Sequence, residues 1–306
     1  MIPFPNKPVL QPLTDPLFKE KNLNVFVLRD DLIHPYISGN KWRKLKYNIE
    51  EFRKEGKEYL VTFGGAYSNH ITATAAAGKE LGIKTIGVIR GEEHGVNTNP
   101  VLRFAHACGM KLIFISREKY RCLRENNSLP IPALKTPDSQ LYFLPEGGSN
   151  DLAVKGCKEI VDDIPIRFDV ICCACGTGAT LAGIVNGLKD DQRAIGIAVL
   201  KGASFLKETV ISYGGSENNF QIVPDYVFGG YAKSTIELEE FCKTFTEQHH
   251  IPVEWVYTGK LFFGIYDLVK KDFFERGKTI VVVHTGGIYD FRGASFLLCL
   301  ANNMRR

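Results

Sequence analysis

Residues 59–81, YLVTFGGAYSNHITATAAAGKEL, decide the fold. An apolar run over 59–63 breaks at Gly64 and Gly65, and an alanine-rich segment follows over 71–81. The spacing predicts a strand, a glycine turn and a helix, the unit from which parallel α/β sheets are built. Ser68 and Asn69 stand where that helix begins, and both residue types are common amino-terminal caps, which is the plain explanation of them. A chemical explanation stands beside it. Ligands of open α/β sheets gather at the carboxyl ends of strands, so Ser68 would face a ligand and Asn69 would hydrogen-bond it. His70 is a candidate contact too, against the commoner case of a packed, hydrogen-bonded histidine.

Outward from this stretch the same alternation recurs. Toward the amino terminus a strand is expected over 24–28. A helix follows Lys41, in which Trp42, Leu45, Ile49 and Phe52 recur at helical spacing, and it ends near Gly56. Toward the carboxyl terminus strands are expected over 85–89, 112–115, 141–144, 169–173, 194–200 and 280–283. Helices are expected over 100–107, from 151 to about 161, over 181–188, 205–211 and 237–246, and from 257 onward. Residues 118–140 are polar and proline-interrupted and receive no assignment. The pattern is that of doubly wound parallel sheets. With 306 residues and no repeat of fixed period, two open α/β lobes fit the length better than one sheet.

The formal charge of +4 is small for this length and gives no reason to invoke nucleic acid or a membrane surface, though it suits a pocket for an anion. No apolar run is long enough to cross a bilayer, and residues 1–16, punctuated by prolines, lack the basic and apolar segments of a secretory signal. Of eight cysteines only Cys172, Cys173 and Cys175 cluster, on an apolar strand without the paired spacing or histidines of a zinc site. Buried, reduced cysteines in a cytoplasmic protein, and no metal, are the expectation.

Four glycine-rich turns carry interspersed hydroxyl and amide groups: 64–70, 147–150, 176–180 and 285–287. Gly176-Thr177-Gly178-Ala179-Thr180 is the best anion site among them. Its glycines let backbone amides converge, and the helix after it turns its positive end toward a phosphate. The dinucleotide fingerprint and the Walker loop both fail to match. In Ser38-Gly39-Asn40-Lys41 the lysine sits at the mouth of a helix, where the dipole disfavours an ammonium and favours a free amine able to attack an aldehyde. Lys44, one turn later, could hold an anion near that amine. Solvated surface lysines are the bland alternative for both. Tyr257 is a core aromatic or a phenolic acid/base, and Glu146 a surface charge or a turn contact. Neither a Ser/His/Asp arrangement of hydrolase type nor a metal-spaced histidine pair is found.

Taken in order, Ser38-Gly39-Asn40-Lys41 with Arg43-Lys44-Leu45, Gly64-Gly65 with Ser68-Asn69-His70, Pro145 to Asn150, Gly176 to Gly183, Tyr257-Thr258-Gly259-Lys260 and His284-Thr285-Gly286-Gly287 resemble the 1-aminocyclopropane-1-carboxylate deaminase and D-cysteine desulfhydrase family. The resemblance implies the tryptophan synthase β-like fold (fold type II) and the cofactor pyridoxal 5'-phosphate. It implies a larger cofactor-binding domain over 1–40 and 146–306, and a smaller one over 41–145 carrying the Schiff-base lysine and the Ser68 loop. By it Lys41 would bond to the cofactor, Lys44 would lie near the phosphate, and Gly176, Thr177, Gly178, Ala179 and Thr180 would cradle it. Asn69 would hydrogen-bond the ring oxygen, and Thr285 would be a further cofactor contact. Ser68 and Tyr257 would be catalytic groups facing a small amino-acid substrate, with Asn69, His70 and Thr258 lining its site. Members of the family are commonly homodimers.

Two positions divide that family. The deaminases carry glutamate after the active-site tyrosine and leucine after the histidine of the last glycine motif; here the residues are Thr258 and Thr285, as in the desulfhydrases. A threonine hydroxyl supports protonation of the cofactor's ring nitrogen far less than a carboxylate does. That suits β-elimination, where a good leaving group already helps. The resemblance therefore implies elimination from a small D-amino acid, D-cysteine foremost. The alternatives are cyclopropane ring opening and, from another class, a protein that binds the cofactor without turnover. A nicotinamide-dependent dehydrogenase would need the missing glycine fingerprint. The chain departs from its family in a trimmed stretch around 117–140 and in Trp42 after the lysine.

Overall fold

The structure is a computed structural model that describes residues 6–126, 137–189 and 191–289. In chain order the elements are β1 (Val9–Pro12), α1 (Pro16–Glu20), β2 (Asn24–Arg29), α2 (Asn40–Lys54), β3 (Tyr59–Gly65), α3 (Asn69–Leu81) and β4 (Lys84–Arg90). Then come α4 (Pro100–Ala107), β5 (Lys111–Ile115), α5 (Arg117–Asn126), β6 (Leu141–Leu144), α6 (Asp151–Asp162), β7 (Val170–Cys175) and α7 (Ala179–Gly187). The last are β8 (Arg193–Ala198), α8 (Phe205–Ser212), β9 (Phe220–Val223), α9 (Ile236–His249), α10 (Thr258–Lys270) and β10 (Thr279–Val283). They form two compact units. One is built on Lys44–Asn150; the other comprises Pro5–Arg43 together with Asp151–Ile288.

The unit built on Lys44–Asn150 has a four-stranded sheet in the order β5-β4-β3-β6. All its pairings are parallel, with Val61 of β3 opposite Ile86 of β4 and Phe143 of β6. Val61, Ile86, Val88, Ile113 and Leu141 form its apolar cluster. α3 ends at Gly82 in the left-handed region, φ 65°, as the alanine-rich run gives out.

The other unit has a six-stranded sheet in the order β1-β2-β10-β7-β8-β9. Its central strands read TIVVV and VICCAC, continuous apolar runs suited to a sheet buried on both faces. The two-residue period of a strand sends Ile280 and Val282, Cys172 and Ala174, Ile195 and Ile197 into one core. Val281 and Val283, Ile171, Cys173 and Cys175, Ala194 and Ala198 go into the other. The cysteine cluster is thus core packing on two faces of one strand, and burial pushes the Cys172 thiol well up.

Four elements were not foreseen: α1, β9, β1 and α5. β1 pairs antiparallel with β2, Pro12 opposite Phe26, in a stretch whose prolines conceal a strand. Proline is tolerated there because β1 is an edge, where one side of the ladder needs no donor. α5 lies in the segment left unassigned. Among the residues whose burial is described, Tyr120 and Leu123 mark its inner face, and Tyr120 packs edge-on against Phe63 of β3 at 6.3 Å. Part of the trimmed stretch, 127–136, lies outside the described residues.

Candidate active site

In the six-stranded unit the chain leaving β2 reaches Lys41 through a turn locked against the last glycine motif. Gly39 has φ 60°, and a Cβ built on it would stand 2.1 Å from the Thr285 carbonyl oxygen, so only glycine fits. The Gly39 N–H donates to the Asp30 carbonyl at 3.0 Å, and the N–H groups of Lys41 and Trp42 return to Ser38 and Gly39 to start α2. Arg43, one turn in, is buried and meets both oxygens of buried Asp30 at 2.8 Å, while its other nitrogen reaches Asp163 at 2.7 Å. Burial pushes the Asp30 carboxyl up, opposed by the Arg43 guanidinium. That bidentate pair fixes the rotation of the turn bearing Lys41.

Lys41 is half-buried, and its ammonium donates to the Asn40 amide oxygen at 3.0 Å, a neutral partner. The same amide donates from Nδ2 to the Thr180 hydroxyl at 2.9 Å, joining the lysine turn to the start of α7. Gly178 caps α7 with φ 86° and no side-chain hydrogen bond, so the first turn presents backbone rather than side chain. A Cβ on Gly176 would lie 3.2 Å from the Tyr257 ring. Tyr257 heads α10, and its ring meets that of Tyr231 at 5.9 Å and 72°.

The carboxylate of Glu254 accepts from the N–H groups of Val256, Tyr257 and Thr258 at 2.6, 2.9 and 2.9 Å, capping α10. Burial pushes that carboxyl up against these bonds. Thr258 is fully buried with its hydroxyl 3.3 Å from the same carboxylate. His284 is fully buried and donates from Nε2 to the Pro252 carbonyl at 2.7 Å. Its Nδ1 therefore accepts from the Gly286 N–H at 3.3 Å, holding the turn that Gly39 touches. Burial pushes its pKa down, against the attraction of Asp31.

In the four-stranded unit Ser68 caps α3, its hydroxyl accepting from the Ile71 N–H at a long 3.4 Å. The cap reading therefore holds, yet so long a bond commits the hydroxyl weakly. Asn69 is half-buried, and its carbonyl accepts from Tyr289 at 3.3 Å. His70 is buried with Nε2 2.7 Å from the Thr62 hydroxyl, which itself donates to the Leu144 carbonyl at 3.0 Å. One hydroxyl carries one proton, so Thr62 accepts from His70, and Nε2 bears the hydrogen. The ammonium of Lys44 donates to the Gly147 carbonyl at 3.1 Å and the Ser149 hydroxyl at 3.2 Å. Lys44 and His70 thus brace the 147–149 turn, with Gly148 against the His70 ring.

The structure gathers Lys41, Gly176, Thr180, Tyr257, Thr258 and Thr285 in one unit, and Lys44, Ser68, Asn69 and His70 in the other. Asn40, Arg43 with Asp30, and Glu254 are bonding partners that residue patterns did not single out for these roles. Asn40 and Arg43 lay inside a quoted motif, while Glu254 carried no signal beyond being acidic ahead of a helix.

The fit to a phosphate-bearing aldehyde rests on three observations. A glycine-capped helix start lacks a side-chain cap, an amine bonded to a neutral amide stands one residue from the amide that touches that start, and an aromatic hydroxyl faces Gly176. These are the parts needed to hold pyridoxal phosphate. The chain belongs to the pyridoxal-phosphate dependent enzyme family, whose model matches residues 10–286. It is 32% identical over 88% of its length to a candidate 1-aminocyclopropane-1-carboxylate deaminase of Pyrococcus horikoshii, covering 86% of that protein. It is 29% identical to the bifunctional D-cysteine desulfhydrase/1-aminocyclopropane-1-carboxylate deaminase of Arabidopsis thaliana, over 86% of this chain and 72% of that one. Its fold matches the crystal structure of an ACC deaminase homologue with a TM-score of 0.75 and 29% identity, across 97% of this chain and 94% of that one. The architecture is that of fold type II.

Proposed function

We propose that this enzyme eliminates the β-substituent of a small D-amino acid, D-cysteine foremost, giving pyruvate, sulfide and ammonia. The observation that carries the reading is Thr258. Where a carboxylate marks ring-opening deaminases, this chain buries a hydroxyl already committed to Glu254. Pyridoxal phosphate, when bound, supplies the electron sink that makes an amino acid's α-proton acidic.

The protein's own residues do the rest. The backbone N–H groups of 176–180 anchor the phosphate, with Lys44 assigned near it. Lys41 would provide the covalent attachment and, as a free amine, would take the α-proton. Asn69 would bond the ring oxygen, and Thr285 would be a further cofactor contact. The hydroxyls of Ser68 and Tyr257 give a proton to the departing sulfur, and His70 and Thr258 border the substrate. The Cα–H pair becomes the new Cα–Cβ double bond, sulfur leaves with the Cβ–S pair and a proton, and water then displaces nitrogen. The larger cofactor-binding domain is proposed as 1–40 with 146–306 and the smaller as 41–145; the compact units divide a little later, after Arg43 and after Asn150, so Lys41 falls with the six-stranded unit.

Ring opening of 1-aminocyclopropane-1-carboxylate is the second reading, favoured by the name of the Pyrococcus horikoshii relative. Assay of sulfide and pyruvate from D-cysteine, beside 2-oxobutanoate from the cyclopropane acid, separates the two. Sulfide release supports elimination; 2-oxobutanoate without sulfide replaces it with ring opening. No helix among the described residues is long and apolar enough to cross a membrane. A cytoplasmic homodimer is proposed with the function, on the buried cysteines and the family resemblance.

A further inference from the structure

Lys260 is fully buried, and its ammonium donates to three backbone carbonyls, of Val199 at 3.2 Å, Val227 at 2.9 Å and Gly230 at 2.8 Å. Its hydrogen-bond partners among the described residues are these carbonyls, and the Glu254 carboxylate attracts it without a hydrogen bond. A charge held this way, by neutral oxygens converging on one point, is solvated as a bare monovalent cation would be. Burial nevertheless pushes its pKa down to about 8.

The three carbonyls belong to pieces of chain that surround Tyr257. Val199 follows β8, and its side chain lies 3.9 Å from where a Cβ on Gly176 would be. Val227 and Gly230 bracket the turn that delivers Tyr231, whose ring packs edge-to-face on Tyr257. Phe228, Gly229 and Gly230 in that turn all have positive φ, 46°, 87° and 122°, so the segment lacks a regular ladder to hold it. Lys260 itself is three residues after Tyr257, one turn along the same helix.

We propose that Lys260 is a positioning residue, a built-in monovalent cation that ties the 227–231 turn to α10 and thereby sets Tyr231 against Tyr257. The structural part stands on these contacts alone; its consequence for turnover rests on the role proposed above for Tyr257. A neutral side chain one atom shorter would leave the three oxygens facing a hole the size of one ion. That hole is a site for potassium or ammonium.

The test uses Lys260→Met, whose side chain ends one atom short of the ammonium. In tetramethylammonium chloride its melting temperature is expected to fall by about 5 °C. Ammonium or potassium chloride at equal ionic strength restores it saturably, while the wild type responds to neither. In the same salts kcat for pyruvate release returns with the ion and KM changes little, a split that general loosening of the fold would not give. Lys260→Gln, which offers two N–H donors of its own, is expected to melt between the two and ignore the ions. A Lys260→Met protein that melts identically in all the salts, or that folds in none of them, overturns the proposal. A saturable salt response without any turnover in the wild type would keep the cation site and remove the reading of Tyr257.

Discussion

At the scale of single residues the proposed chemistry turns on an amine, two hydroxyls and one missing carboxylate. Replacing Lys41 by alanine removes the proposed base, and kcat/KM for sulfide release should drop by about 10³-fold or more. Tyr257→Phe should lower kcat by about 10²-fold while the melting temperature stays put, because the ring packing against Tyr231 survives. Thr258→Glu would set a second carboxylate against Glu254, now 3.3 Å from the hydroxyl, in a fully buried position. Like charges so placed disfavour one another, so the single change should lower the melting temperature by several degrees, and Glu254→Gln should recover it. An unchanged melting temperature in Thr258→Glu would mean that the pair is not coupled. Lys41, Ser68 and Tyr257 stand out in the sequence as candidates because they lie in ordered motifs. Glu254 could not, since a capping carboxylate four residues before a threonine looks like any surface acid until the helix start is seen.

At the scale of elements, glycines decide what can approach what. Gly39 combines a left-handed backbone with the Thr285 carbonyl where a Cβ would go. Gly39→Ala pays about 1–2 kcal/mol for the backbone alone and must also push the 285–286 turn away. Both thermal stability and cofactor retention should fall, measurable by calorimetry and by equilibrium dialysis of pyridoxal phosphate. Gly183→Ala is the control, because its Cβ would stand 2.4 Å from Cys157 where α6 and α7 pack, remote from Lys41 in sequence. It should destabilise the fold without singling out cofactor retention. The strand-turn-helix units were legible because hydrophobic period and glycine punctuation agree with the final structure from β2 to β10. β1 was hidden by its prolines, which only an edge tolerates, and α5 by a charged sequence in which Tyr120 and Leu123 are the apolar signal. β9, four residues with one buried side chain, offers no pattern to read.

At the scale of the whole molecule, a buried and a half-buried histidine give folding a dependence on pH. Burial pushes His284 and His249 below the ordinary histidine value. The unfolded chain takes up protons near pH 6.5 while the folded one resists, so their contribution is intact above about 6.5 and is lost as pH falls below it. Urea midpoints measured between pH 7 and 5 should decline, and less steeply in His284→Gln; equal slopes would show that His284 stays uncoupled from folding. Whether the molecule is an elimination enzyme is settled most directly by its visible absorbance. Purified protein given pyridoxal phosphate should show the band of the covalently bound cofactor, absent in Lys41→Ala, and D-cysteine should shift that band while sulfide and pyruvate appear. A protein that shows no band with added cofactor, or a band indifferent to D-cysteine with no sulfide formed, would contradict the proposed function.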